Sequence, residues 1–205
     1  MRVGSLILAG GRSRRMGKPK ESLTLGGKTL LGRAVETLLH CTWPVVVVAR
    51  GGDQQMPPLP PEAEVIHDDS PDAGPLLAIA KGMRHLRHTH GFHDLDALFV
   101  TGCDSPYLTA AVVGWLRDQL GLHQCVVPRG NGFLQPLCAI YRLNCLPEID
   151  ALLLCGIVTP RTIVEQTKAL VPLESALRKF DPELRCLNNL NTPEDFAQAL
   201  RDFGA

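Results

Sequence analysis

The sequence predicts an α/β sandwich built around a mostly parallel sheet. Three observations carry that expectation. Short runs of Val, Ile and Leu recur along the chain, one of them four consecutive valines from Val45 to Val48. Segments between the runs carry apolar residues at helical spacing. Gly and Asp gather in the loops directly after the runs. A strand covered by helices on both faces is apolar throughout rather than alternating, which is the mark of a parallel sheet.

Residues 3–8 form the first buried strand and run into Ala9-Gly10-Gly11. Residues 28–39 read as a helix, with Leu30, Leu31, Ala34, Val35 and Leu38 on one side. Residues 44–49 are the second strand, because consecutive valines favour extended backbone. Four prolines within 57–61 make a loop, and 64–66 is a short third strand. A helix over 75–86 leads to a fourth strand at 97–101, a loop at 102–107 and a helix at 109–120. Strands at 124–127 and 137–141 flank a Gly-containing loop; helices follow at 146–155 and 161–167, then a strand at 170–172. The last helix starts with Thr192 as N-cap, Pro193 at the first helical position and Asp195 where a capping box places its acid. No internal repeat is present, and the 205 residues are expected to form one domain with a full hydrophobic core.

Ligands of such sheets bind beyond the carboxyl ends of the strands, near a switch in strand order. The segments that bear on function are therefore 9–20, 67–75 and 102–107.

Lys plus Arg number 21 and Asp plus Glu number 21, so the formal net charge is zero. A neutral chain is a poor nucleic-acid binder, because such binding relies on many phosphate contacts. No apolar stretch approaches bilayer length. The first apolar run is cut short by Gly-Gly-Arg-Ser-Arg-Arg, with no signal cleavage site. A cytoplasmic chain with no nucleic-acid or membrane partner is expected, a monomer by default. The seven cysteines include no Cys-x-x-Cys pair and read as small buried hydrophobes in a reducing compartment.

The loop after the first strand concentrates chemistry. Gly10 and Gly11 allow a tight turn and close approach of backbone to a ligand. Freed backbone N–H groups can hold phosphate oxygens, and Arg12, Arg14, Arg15, Lys18 and Lys20 add cations with no acid before Glu21. The physical reading is a polyphosphate cradle; the bland alternative is a solvated basic loop. It is not a P-loop, since Gly11 to Gly17 is one residue too long and Pro19 stands where the hydroxyl should be. It is not the dinucleotide fingerprint either, because Arg12 follows the glycine pair.

Asp104, in Gly102-Cys103-Asp104-Ser105-Pro106-Tyr107, follows the fourth strand. It is placed to bind Mg²⁺ beside a triphosphate or simply to cap the turn before Pro106. The acids of His67-Asp68-Asp69-Ser70-Pro71-Asp72 suit hydrogen bonding to a base or ribose, or an outer-shell role, better than a phosphate site.

Leu8-Ala9-Gly10-Gly11-x-Ser13-x-Arg15-Met16-Gly17 followed by Lys resembles the opening signature of the MobA family, the molybdenum cofactor guanylyltransferases. Four further stretches resemble that family in the same order. They are Asp68 with Gly74-Pro75-Leu76, then Cys103-Asp104-x-Pro106-Tyr107, then Gln135-Pro136, and last Asn189-x-Asn191-Thr192-Pro193-Glu194-Asp195. The resemblance spans Leu8 to Asp195. It implies a single-domain, Rossmann-like sandwich of the nucleotide-diphospho-sugar transferase type. It implies Mg²⁺ as cofactor, GTP and molybdopterin as substrates, and molybdoenzymes or cofactor-delivery proteins as further partners.

The implied roles fall on named residues. Leu8, Ala9, Gly10 and Gly11 contact the nucleotide through backbone. Arg15 and Lys20 neutralise phosphates. Asp104 binds the metal and the nucleotide. Asp68 contacts the nucleotide, with Asp69 as a one-residue alternative. Asn189 and Asn191 reach the second substrate, and Gln135-Pro136 lies on the pterin side. Two departures from the family pattern, Val48 and Leu77-Ala78, are expected near the nucleotide or the pterin. They leave room for rival readings: a molybdopterin cytidylyltransferase, a sugar-phosphate nucleotidyltransferase, or a non-catalytic nucleotide- or cofactor-binding relative. His85, His88, His90 and His93 crowd a helix end and the loop after it. Composition alone is weak ground for a metal site, so a hydrated surface is expected there.

Overall fold

The fold is taken from a computed structural model, which describes residues 1–204 except 12–15, 52–53, 69 and 71–73. Eleven strands and seven α-helices occur among the described residues. In chain order they are β1 (Val3–Leu8), β2 (Thr24–Leu25), β3 (Lys28–Thr29), α1 (Leu30–Leu39), β4 (Val45–Arg50), β5 (Ala63–Asp68) and α2 (Pro75–His90). Then follow β6 (Ala97–Gly102), α3 (Ala110–Asp118), β7 (Cys125–Val126), β8 (Arg129–Gly130), β9 (Phe133–Leu134) and β10 (Cys138–Arg142). The chain ends with α4 (Leu146–Leu154), α5 (Arg161–Gln166), β11 (Ala169–Leu170), α6 (Glu174–Leu177) and α7 (Pro193–Asp202).

Seven strands make the main sheet, in the order β11-β7-β10-β6-β1-β4-β5. β1 pairs in parallel with β4 and β6, β4 with β5, and β7 with β11, whereas β10 runs antiparallel to both its neighbours. From β1 the chain builds outward through β4 and β5, then crosses to the other side of β1 to lay down β6. The switch in strand order therefore falls between the carboxyl ends of β1 and β6, where Leu8 pairs with Gly102. Loops leaving two strands in opposite directions open a crevice at that point.

The valine run shows why the sheet is buried on both sides. Val45 and Val47 join one core layer with Leu31, Val35, Leu38 and Val112, on the side of α1 and α3. Val46 and Val48 join the other with Leu76, Ile79, Met83 and Ile149, on the side of α2 and α4. Period-two alternation sends successive side chains to opposite faces, so an unbroken apolar run is what two covered faces require. A third apolar cluster packs Leu190 and Ala199 of the C-terminal segment against Leu25 and Leu30. It brings the end of the chain back to the segment that follows the first loop.

Several boundaries differ from the sequence expectation. Residues 28–29 are not helical. They pair with 24–25 in a two-stranded hairpin around Gly26-Gly27, and Thr29 caps α1 by accepting the Gly32 N–H at 3.0 Å. The second helix runs past residue 86 to His90. The strand expected at 170–172 is Ala169–Leu170, and the one-turn helix α6 carries no sequence pattern that announces it. The capping box at Thr192 forms as expected: Thr192 Oγ1 accepts the Asp195 N–H at 3.2 Å, and Asp195 Oδ2 accepts the Thr192 N–H at 2.8 Å.

The amino terminus is held by one carboxylate. Asp96 accepts from the Arg2 backbone N–H at 2.8 Å, the Arg2 guanidinium at 2.9 and 3.2 Å, and the His93 N–H at 3.0 Å. Burial would raise the carboxyl, but these donors outweigh it and leave its pKa below the ordinary value. A depressed folded-state pKa adds stability above the unfolded value of about 4 and loses it as pH falls through the folded value. We expect Asp96→Asn to lower unfolding free energy by roughly 1–3 kcal/mol at neutral pH. The difference between the two proteins should shrink as urea melts are repeated below about pH 4.

Candidate functional site

The crevice at the strand-order switch is a cavity of about 280 Å³. Leu8, Gly10 and Gly11 of the first loop form one edge, and Gly102 and Asp104 form another. Val48, Pro75, Ala78 and Leu137 supply apolar wall, with Arg50 and Asp68 as polar groups. Apolar walls with a few polar groups suit a nucleobase and its ribose. Asp68 ends β5, and its Oδ1 accepts the Ser70 N–H at 3.0 Å, which holds the carboxylate at the rim. Asp69 and Arg15 lie outside the described residues, as do Arg12 and Arg14.

Ala9 differs from its neighbours in the first loop. Its side chain is buried, its N–H donates to the Val48 carbonyl at 2.9 Å, and its carbonyl accepts from Gln54 Nε2 at 2.8 Å. It supports the cavity from behind and does not line it. Leu8, Gly10 and Gly11 do line it.

Lys20 and Asp104 stand at the centre of the site. Lys20 Nζ lies 2.7 Å from Asp104 Oδ2, with the side chains 14% and 19% exposed, so the pair is shielded yet reachable. The same ammonium donates to Asn191 Oδ1 at 3.1 Å. Asn191 and Asn189 line a second, more polar cavity of about 550 Å³ together with Tyr107, Gln135 and Asp195. Lys20 thus ties a wall of one cavity to a wall of the other. Ser105 Oγ donates to Asn189 Oδ1 at 2.8 Å, and the Leu190 N–H to the Asp104 carbonyl at 2.9 Å. The loop after β6 and the loop before α7 are stitched together directly at two points, and Lys20 bridges them at a third by contacting both Asp104 and Asn191.

The capping box extends this stitching. Asp195 Oδ2 also accepts the Asn191 N–H at 2.9 Å. Burial would raise the Asp195 carboxyl, but N–H donors from Asn191 and Thr192, the Thr192 side chain and the nearby Lys20 charge hold it below the ordinary value. A helix cap thereby fixes the asparagine that faces the second cavity.

Gly102 has a specific reason to lack a side chain. A Cβ there would stand 2.5 Å from Asp104 Oδ1, well inside van der Waals contact. We expect Gly102→Ala to displace the Asp104 carboxylate and lower turnover on the order of 10²-fold, the usual cost of misplacing a reacting group by about 1 Å. Circular dichroism should show the fold retained.

Sequence reasoning missed Gln54 and Glu21. Gln54 Nε2 donates to Glu21 Oε1 at 2.6 Å as well as to Ala9, and its Oε1 accepts the Arg50 N–H at 2.6 Å. One amide therefore joins the first loop, the end of β4 and the Lys20 segment. Glu21 is buried behind Lys20, and its Oε2 has no hydrogen-bond partner among the described residues. No motif marks either residue; their adjacency to Lys20 and Arg50 becomes meaningful once the loops meet. Cys103, next to Asp104, is buried, and burial together with the Asp104 and Glu21 charges pushes its thiol far up. It is a packing residue and offers no thiolate nucleophile.

Asp104 meets the requirement for holding a hard divalent cation. It presents a carboxylate at the cavity edge, and Mg²⁺ needs one or two carboxylates beside phosphate oxygens and water. Val48 and Ala78, where the sequence departs from the pattern it resembles, both lie in the wall of the first cavity. Gln135 lies in the second.

Comparison with known proteins agrees with this geometry. A family model described as a MobA-like NTP transferase domain matches residues 5–170. A probable molybdenum cofactor guanylyltransferase of Methanosarcina mazei is 33% identical over 201 residues, covering 93% of this chain and 87% of that protein. A molybdenum cofactor guanylyltransferase of Desulfosudis oleivorans is 29% identical over 202 residues, covering 96% and 94%. The crystal structure of molybdopterin-guanine dinucleotide biosynthesis protein A from Archaeoglobus fulgidus superimposes with a TM-score of 0.78 at 26% identity, covering 98% of each chain. A cytidylyltransferase from Thermus thermophilus shares the fold, with a TM-score of 0.70 at 16% identity over the full length of both chains. The sheet and crevice are those of the nucleotide-diphospho-sugar transferase type. The chain is a nucleotidyltransferase, and it belongs to the MobA-like NTP transferase family.

Proposed function

We propose that the chain transfers GMP from GTP to the terminal phosphate of molybdopterin, forming the guanine dinucleotide cofactor and releasing pyrophosphate. The observation that carries this reading is the paired cavity: an apolar one that suits a nucleotide and a polar one rimmed by Asn189 and Asn191, linked through Lys20. The names of the relatives supply the substrate pair.

The chemistry asks for little from side chains beyond position and charge. A phosphate monoester with a second pKa of about 6 is largely dianionic at neutral pH. It is already a nucleophile and needs no general base. The barrier is the approach of one anion to another, so charge neutralisation and alignment dominate. Lys20 supplies a cation at the junction of the two cavities, and Gly10 and Gly11 let backbone come close to the phosphates. Arg15 adds a second cation in this reading. Asp104 would hold Mg²⁺, which would supply neutralisation of phosphate charge. Asp68 hydrogen-bonds the base or ribose. Asn189 and Asn191 orient molybdopterin.

The seven free cysteines, five of them buried, support a reducing, cytoplasmic setting. No helix among the described residues is long and apolar enough to cross a membrane.

The test is a nucleotide panel. The chain is incubated with molybdopterin, Mg²⁺ and each of GTP, CTP, ATP and UTP, and the dinucleotide product is scored. Product with GTP alone is expected. Product with CTP alone would transfer the chain to the cytidylyl reaction. Nucleotide binding without product would make it a non-catalytic binder.

A further inference from the structure

The amino end of the sheet carries a second cluster of ligand atoms. Glu64 is the second residue of β5, the edge strand, about 13 Å along that strand from Asp68 and the nucleotide cavity. His85 and His90 lie in the last turns of α2, which runs back to this end. They are five residues apart, a spacing that does not place two side chains on one helix face. Both rings nevertheless turn to the same carboxylate. His85 Nε2 lies 2.8 Å from Glu64 Oε2, and His90 Nε2 lies 2.8 Å from Oε1 and 3.1 Å from Oε2.

We propose that Glu64, His85 and His90 bind a divalent transition ion of the zinc class, with solvent completing its coordination. One ligand atom from each of the three residues lies within 4.8 Å of the others. Bonds of about 2.0–2.1 Å to a tetrahedral ion would set ligand atoms about 3.3 Å apart. The two imidazole–carboxylate contacts need only open by about half an ångström to admit one. Two imidazoles and one carboxylate suit zinc and its neighbours, whereas Mg²⁺ prefers oxygen throughout.

The surroundings reinforce the geometry. His85 Nδ1, on the far side of its ring, lies 3.4 Å from Thr89 Oγ1, and a partner on the second nitrogen is what orients a ligating imidazole. The His90 ring packs edge-on against Trp43 with centroids 5.3 Å apart. Arg2 Nη1 donates to the His90 carbonyl at 2.9 Å, and Gly91, with φ +60°, ends the helix in the left-handed conformation. His90 is therefore fixed from ring and backbone. A cation here also sits at a helix carboxyl terminus, where the helix dipole favours positive charge. The side chains are 22%, 11% and 35% exposed for His85, His90 and Glu64, which shelters the ion yet leaves solvent access.

The full chain is stripped with chelator and dialysed against Zn²⁺, with Mg²⁺ in excess to occupy oxygen sites. The wild type is expected to retain one zinc per chain more than the His85→Gln, His90→Gln double variant, and Glu64→Gln to weaken binding at least about tenfold. The ring-proton resonances of His85 and His90 in the wild type are expected to shift on zinc addition, a readout independent of variant folding. Equal zinc in wild type and a folded double variant, or ring resonances that do not move, would overturn the assignment. In that case Glu64, His85 and His90 form only a hydrogen-bonded clasp between β5 and α2.

Discussion

Asp104→Ala removes GMP transfer: turnover is expected to fall at least about 10³-fold, the upper range for deleting one electrostatic contact in a preorganised site. In the proposed reading the loss should not be recovered by raising Mg²⁺, because the carboxylate that would hold the ion is gone. The fold should survive. Asp104 ties to the C-terminal loop through its main-chain carbonyl, which accepts the Leu190 N–H and is untouched by side-chain truncation. Asp104→Asn separates charge from shape, since it keeps an acceptor for Lys20 and loses the negative charge. It should be nearly as inactive as the alanine variant. Unchanged turnover across a magnesium titration would remove Asp104 from the reaction.

Lys20→Ala is expected to be the next most severe change. A unit charge about 4 Å from another, at an effective dielectric near 20, is worth about 4 kcal/mol, which sets a ceiling of about 10³ on the rate effect. A fall of roughly 10²–10³ in kcat/KM is the expected result. The variant also unties Asn191 from Asp104, so KM for molybdopterin should rise together with the loss in kcat. Lys20→Arg restores charge with a planar fork that fits a point-charge site poorly. It should recover binding of GTP better than turnover. A Lys20→Ala enzyme with wild-type KM for both substrates would place the lysine outside the junction.

The layer structure was open to reading because buried parallel strands announce themselves as apolar runs, and Val45 to Val48 divide between two cores as such a run requires. Lys20 and Asp104 stand out in the sequence because each lies in a loop after a strand with the residue types a phosphate or cation site needs, whereas Asn189 and Asn191 are assigned only through the family resemblance. Other features depend on contacts between distant segments. The β2–β3 hairpin was absorbed into the following helix because Lys28 and Thr29 are compatible with either state, and only the pairing across Gly26-Gly27 decides between them. Gln54 has no pattern around it, and its role arises where β4, the first loop and Glu21 converge. The histidines read as a hydrated helix end because their run spills into a Gly-containing loop and composition alone is weak ground for a metal site. The third group, Glu64, is 21 residues before His85, and pairing of β5 with β4 is what brings it there.

The central claim is attack by molybdopterin phosphate on the α-phosphorus of GTP, and isotopic label tests it most directly. Parallel reactions carry the label on the α- or the γ-phosphate of GTP, with molybdopterin and Mg²⁺ present. The α-label is expected in the molybdopterin product, and the γ-label is expected wholly in pyrophosphate. Movement of γ-label onto molybdopterin, with GDP as the released nucleotide, would contradict the account.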